Sequence, residues 1–86
     1  MNIYKQAVEK WGHKSQIGMM IEECAELIVE LRHAIRGRSS VATVCGEIAD
    51  VEIMCSQMRT IFDTARVDSI KASKLERLEK LIQGET

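Results

Sequence analysis

Apolar residues along this chain recur every three or four positions, which is the spacing of one face of a helix rather than of a strand. Four helical segments follow from that periodicity and from the residues that punctuate it. The first runs from about Ile3 to Trp11, with Asn2 as a candidate N-cap and Gly12 as its terminator. The second runs from about Gln16 to Ile35, preceded by Ser15 and followed by Gly37. A polar turn, Arg36-Gly37-Arg38-Ser39-Ser40, leads into a third helix from about Val41 to Phe62, capped by Ser40. Asp63 and Thr64 offer caps for a fourth, from about Arg66 to Ile82, before Gly84 and a frayed tail. The short turn makes the second and third helices antiparallel neighbours. The expected fold is therefore an all-α bundle of about four helices, two of them long and antiparallel.

Placed around each axis at about 100° per residue, the side chains separate by chemistry. On the second helix Ile17, Met20, Ile21, Cys24, Leu27, Ile28, Leu31 and Ile35 form the expected core stripe. Beside it runs an acidic stripe of Glu22, Glu23, Glu26 and Glu30, with no lysine or arginine between Lys14 and Arg32. Like charges so close repel by a few tenths of a kcal/mol per pair, roughly, so a purely structural helix would intersperse basic residues. On the third helix Val44, Ile48, Val51, Met54, Cys55, Met58 and Phe62 share an apolar arc. Glu47 projects within that arc and Asp50 stands at its edge.

A carboxylate facing the packed side must be paired, protonated or bound to a cation. No basic residue lies within one turn of Glu47 on its own helix, and the acidic stripe opposite cannot neutralise it. A divalent cation can. Glu23 with Glu26, and Glu47 with Asp50, are each three residues apart and so form two chelating pairs of hard oxygen donors. That donor set suits magnesium, with manganese as a substitute. Zinc is disfavoured because Cys and His do not cluster, and a ferritin-type di-iron site because no Glu-x-x-His pair exists.

Composition narrows the setting. Eighty-six residues make one domain, spanning 1–86, with no proline, 45% hydrophobic residues and three aromatics. The net charge of −1 gives no basic field for a nucleic-acid polymer. No signal pattern and no apolar run of about 18 residues appear, so a soluble cytoplasmic protein without a membrane role is expected. The three cysteines, Cys24, Cys45 and Cys55, lack metal-ligand spacing and read as reduced core residues. So small a core, without staples, suggests completion by a second copy.

The paired acidic motifs resemble those of the MazG-like, all-α nucleoside triphosphate pyrophosphohydrolases. Glu22-Glu23-Cys24-Ala25-Glu26 matches the EExxE of that family and Glu47-Ile48-Ala49-Asp50 its ExxD, with a glycine-containing turn between them. The runs Ile21–Leu27 and Glu47–Val51 look like the small bacterial and phage-borne members. The resemblance spans most of the chain, from about Trp11 onward. It implies magnesium-dependent hydrolysis of a nucleoside triphosphate to the monophosphate and pyrophosphate, with Glu23, Glu26, Glu47 and Asp50 as metal ligands. Glu22 would orient the attacking water, bind a second metal or support the ligands, and Glu23 would share in catalysis. It also implies a homodimer or homotetramer, with sites near subunit interfaces.

Phosphates need cations from the protein, and Lys71, Lys74 and Arg77 lie one turn apart on the last helix, as phosphate ligands or as a solvated face shared with Glu76 and Glu79. Arg36 and Arg38 are weaker candidates. Trp11 stacks on a nucleobase or belongs to the core, with His13 and Gln16 near enough to hydrogen-bond a base. His33 reads as a neighbour of Glu30. Two other readings stay open: a nucleotide- and metal-binding sensor without turnover, and a helical interaction module.

Overall fold

The computed structural model describes residues 2–84, and the tail beyond Gly84 lies outside them. Four α-helices follow one another: α1 (Ile3–Trp11), α2 (His13–Ile35), α3 (Val41–Ile61) and α4 (Thr64–Ile82). The all-helical bundle expected from the periodicity is what the chain forms, and no strand occurs among the described residues.

Local chemistry sets most boundaries. Asn2 accepts from the Lys5 N–H at 2.8 Å, Ser40 from the Thr43 N–H at 3.1 Å and Asp63 from the Arg66 N–H at 3.0 Å. Each satisfies one of the N–H groups that a helix start leaves without an intrahelical partner. Between α1 and α2 the chain uses a different device. Gly12, at φ 90°, ends α1 by donating to the Val8 carbonyl at 2.8 Å and is itself the N-cap of α2. Such a φ strains any residue with a Cβ, so one glycine turns the chain without a side-chain cap. As a result α2 starts at His13, and Ser15 lies inside it rather than capping it. Two other starts and stops move slightly: α3 ends at Ile61 and α4 begins at Thr64 with Asp63 as its cap.

α2 and α3 form an antiparallel hairpin and make the most extensive contact in the chain; α1 packs across both, and α4 touches only α3. An ion pair from Arg59 to Asp68 helps fix that last contact. Among the described residues few are buried: Val8, Met54, Gln16 and Gln57.

The two long helices pack through one edge of the apolar stripes assigned to the core: Ile17, Met20, Cys24 and Leu27 on α2 and Val44, Val51 and Met58 on α3 are half-buried, and Met54 is buried. On α2 the side turned to α3 runs through Gln16, Met20, Glu23, Leu27 and Glu30, of which Gln16 is buried and the others half-buried. Ile21, Ile28, Leu31 and Ile35, from the stripe, stand exposed. On α3 the inner side runs through Glu47, Met54, Gln57 and Ile61, while Ile48, Cys55 and Phe62 are exposed. Each helix is thus rotated by roughly 50° from the orientation that would centre its stripe on its neighbour. The cysteine expectation changes with it. Cys24 is half-buried and Cys45 and Cys55 are exposed, so within one chain these free thiols are not core residues. No described helix is long and apolar enough to cross a membrane.

Candidate metal centre

The rotation of the hairpin brings carboxylates into the seam between α2 and α3. One ligand oxygen each from Glu23, Glu26 and Glu47 lies within 4.8 Å of the others. Residues three apart on α2 supply two of these groups, and the antiparallel pairing supplies the third from α3. Asp50, one turn beyond Glu47, is exposed and close enough to Glu23 to help raise its carboxyl. Three of the four carboxylates expected as ligands thus share one cluster, and Asp50 is not a member of it.

The seam opens through a cleft of about 290 Å³ lined by Ala25, Glu26, Val29, Glu30 and Glu47. No lysine or arginine is among the lining residues. Glu30 lies 3.7 Å from His33 Nδ1 and also accepts from Ser39 Oγ. That neighbourhood matches the expected place of His33 beside Glu30, and it identifies Glu30 as a part of the cleft wall that motif spacing did not single out, with Ser39 hydrogen-bonded to it from outside the lining. Glu30 sits one turn beyond Glu26 on the same stripe, which was the available signal.

The electrostatics follow from this geometry. Oε2 of Glu23 and Oε2 of Glu47 are buried and have no hydrogen-bond partner. Burial, then the charges of Glu26, Asp50 and Glu47, then the hydrogen bond to Asp50, hold the Glu23 carboxyl above its ordinary value of 4.5. Burial, then the charges of Glu26, Asp50 and Glu30, raise Glu47 in the same way. Orphaned buried carboxylate oxygens beside further carboxylates are what a divalent cation would satisfy. The donors are all oxygens, a set that would suit a hard ion such as magnesium or manganese better than zinc.

A pH dependence follows with a definite sign. Both folded-state values lie above 4.5, so the fold keeps protons that the unfolded chain has already released. Their contribution to stability is full below the unfolded value and is lost as pH rises through the raised ones. In chelator, the melting temperature is expected to fall with rising pH across that window. A Glu23→Gln, Glu47→Gln double variant should flatten the slope. An equal slope in both proteins would show that these groups do not titrate as described.

The remaining candidate residues are dispersed. Glu22 is exposed on the flank of α2 that carries Glu26, one turn before it. Gln16 is 5% exposed, inside the chain rather than on a binding surface. Trp11 is 57% exposed, lies 5.5 Å from the Lys10 ammonium and lines a small groove with Ile3, Gln6, Ala7 and Lys10, so it is not a core residue. Its groove and the carboxylate cleft have no lining residue in common. Lys71 lines a different groove, with Met20, Glu52, Cys55, Arg59 and Phe62 among its walls. Lys74 and Arg77 lie on exposed α4, as do Glu76 and Lys80, which pair at 3.7 Å. Arg36 and Arg38 are exposed in the turn, and His13 is exposed at the start of α2. Gln57 is a buried polar residue that the motif reading did not single out. Its Nε2 donates to Met54 Sδ at 3.6 Å, while its Oε1 has no partner. It falls seven residues after Asp50, two turns along the same side of α3.

Compared with known families, with curated proteins and with solved structures, the chain has no match.

Proposed function

We propose that this chain is a magnesium-dependent hydrolase that splits a nucleoside triphosphate, deoxy and non-canonical forms included, into the monophosphate and pyrophosphate in the cytoplasm. One observation carries the reading: Glu23, Glu26 and Glu47 converge from two helices with unpartnered buried oxygens and no basic side chain among the cleft's lining residues. The resemblance of Glu22–Glu26 and Glu47–Asp50 to the paired motif of MazG-like enzymes supplies the reaction type. Glu23, Glu26, Glu47 and Asp50 would hold the ion. When bound, magnesium supplies charge neutralisation at phosphate oxygens and acidifies a coordinated water. Glu22, on the cleft flank of α2, is assigned to orient the attacking water and take its proton. Glu30 extends the acidic wall, and Ser39 and His33 hold it in place.

A second reading is a sensor that binds nucleotide and metal without turnover. It draws on the place of Lys71, which lines another groove and leaves the cleft without a cation to stabilise departing pyrophosphate.

Incubation with a panel of ordinary and damaged ribo- and deoxynucleoside triphosphates, with and without magnesium, separates these readings. The hydrolase reading predicts equal amounts of monophosphate and pyrophosphate for at least one substrate, only with the metal. Orthophosphate as the product, or binding without product across the panel, would overturn it.

A further inference from the structure

We infer that His33, oriented by Glu30, contacts the terminal phosphates of a nucleoside triphosphate at the far end of the carboxylate cleft. The inference rests on the proposed function, which places a triphosphate in that cleft.

Helix geometry puts the imidazole on the cleft side of α2. Glu22, Glu26, Val29 and His33 follow one another at steps of four, three and four, so they share one flank. Glu26 and Val29 of this row line the cleft. His33 is the next position along it, two turns or about 10 Å beyond Glu26. Helical side chains lean toward the N-terminus of their own helix, which carries this one back over the turn of Glu30 and toward the carboxylate cluster. The backbone there is pinned. The His33 carbonyl accepts from the Arg36 N–H at 3.1 Å and the Arg38 N–H at 2.9 Å, so the end of α2 closes on this residue.

Glu30 sets His33 apart from an ordinary surface histidine. It lines the cleft but stands outside the group of Glu23, Glu26 and Glu47 whose oxygens converge. Its own oxygens are turned elsewhere: Oε1 accepts from Ser39 Oγ, and Oε2 lies 3.7 Å from His33 Nδ1. Ser39 comes from the turn, so the carboxylate is fixed on one side and faces the ring with the other. A carboxylate at one ring nitrogen sets the orientation of an imidazole and leaves the opposite nitrogen to a ligand. Among the described residues no other side chain is paired with the ring. The Glu30 side chain is 18% exposed, whereas that of His33 is 46% exposed and open to a ligand. Nε2 is thus the donor offered to a phosphate oxygen. The cleft has no other cationic group in its lining, and Lys71 lines a separate groove. An imidazole protonated on both nitrogens bridges Glu30 and a phosphate, and it brings the positive charge that the lining lacks.

Isothermal titration calorimetry of the full chain with inorganic tripolyphosphate at saturating magnesium tests the inference without requiring turnover. The wild type is expected to bind. His33→Ala should weaken binding by about 10- to 100-fold, as expected for losing a hydrogen bond to a charged group. His33→Arg should recover most of that loss, because a guanidinium also donates to phosphate. Glu30→Ala discriminates by sign. Removing a negative charge from an anion site ordinarily strengthens anion binding, whereas removing the group that orients His33 weakens it. Glu30→Ala should therefore weaken binding in the wild type and strengthen it in the His33→Ala background. Equal affinity in the wild type and His33→Ala, no recovery in His33→Arg, or strengthening by Glu30→Ala in both backgrounds would overturn the inference and leave the proposed function standing. A wild type that binds neither magnesium nor tripolyphosphate would overturn both.

Discussion

Replacing Glu47 by Gln is expected to abolish magnesium-dependent hydrolysis while making the metal-free protein more stable. The two effects have one cause. Glu47 contributes an oxygen to the three-carboxylate cluster, and its Oε2 is buried without a partner. With an ion present, the Glu47 carboxylate would be a ligand. Losing groups that merely support metal ligands costs about 10–100-fold, and loss of a ligand is expected to cost more. Without an ion, the charged form is disfavoured by burial and by Glu26, Asp50 and Glu30. The amide keeps the shape and removes the charge. At neutral pH in chelator the variant should therefore melt above the wild type, and added magnesium should no longer raise its melting temperature. Near-normal hydrolysis by Glu47→Gln would remove this residue from the site.

The second large effect is expected in the interior. Met54→Ala should destabilise the protein by about 2–5 kcal/mol, the range for emptying a buried methionine or leucine site. Val8 and Met54 are the buried hydrophobic residues among those described, and Met54 Sδ is also the acceptor for buried Gln57. Truncation leaves both a cavity and an amide donor without its partner. Against a total stability of roughly 5–15 kcal/mol for a domain, that loss brings the chain close to unfolding. Urea denaturation followed by circular dichroism measures it directly. A loss below about 1 kcal/mol would place Met54 outside the packing centre.

Features encoded within a turn or two of chain were readable before the fold was known. Asn2 and Ser40 cap helices because their side chains reach backbone N–H groups three residues away, a relation that needs no tertiary partner. The chelating pairs Glu23–Glu26 and Glu47–Asp50 are also local, set by one helical turn. Their meeting across the hairpin followed from the short turn at Arg36–Ser40. The start of α2 was less accessible, because Gly12 reverses the chain through a positive φ and leaves no side-chain cap to recognise.

What escaped the sequence depends on how helices rotate about their own axes. Amphipathic stripes were assigned to the interior of one chain, whereas the carboxylate seam claims part of that interior and turns Ile21, Ile28, Ile48 and Phe62 outward. Periodicity identifies an apolar face without saying whether its cover belongs to the same molecule. The basic residues of α4 illustrate a related limit. Helical spacing put Lys71, Lys74 and Arg77 on neighbouring turns, but the direction of α4 is set at its Asp63 cap and by its contact with α3 alone. Lys71 accordingly lines the groove beside Phe62 and Val67.

The most direct test of the metal centre is anomalous scattering from crystals of the full chain grown with manganese. A peak is expected between Glu23, Glu26 and Glu47, at distances of about 2.0–2.2 Å from their oxygens, typical of small hard dications. With millimolar manganese in the crystal, a cluster without a peak, or a peak held by other residues, would contradict the account.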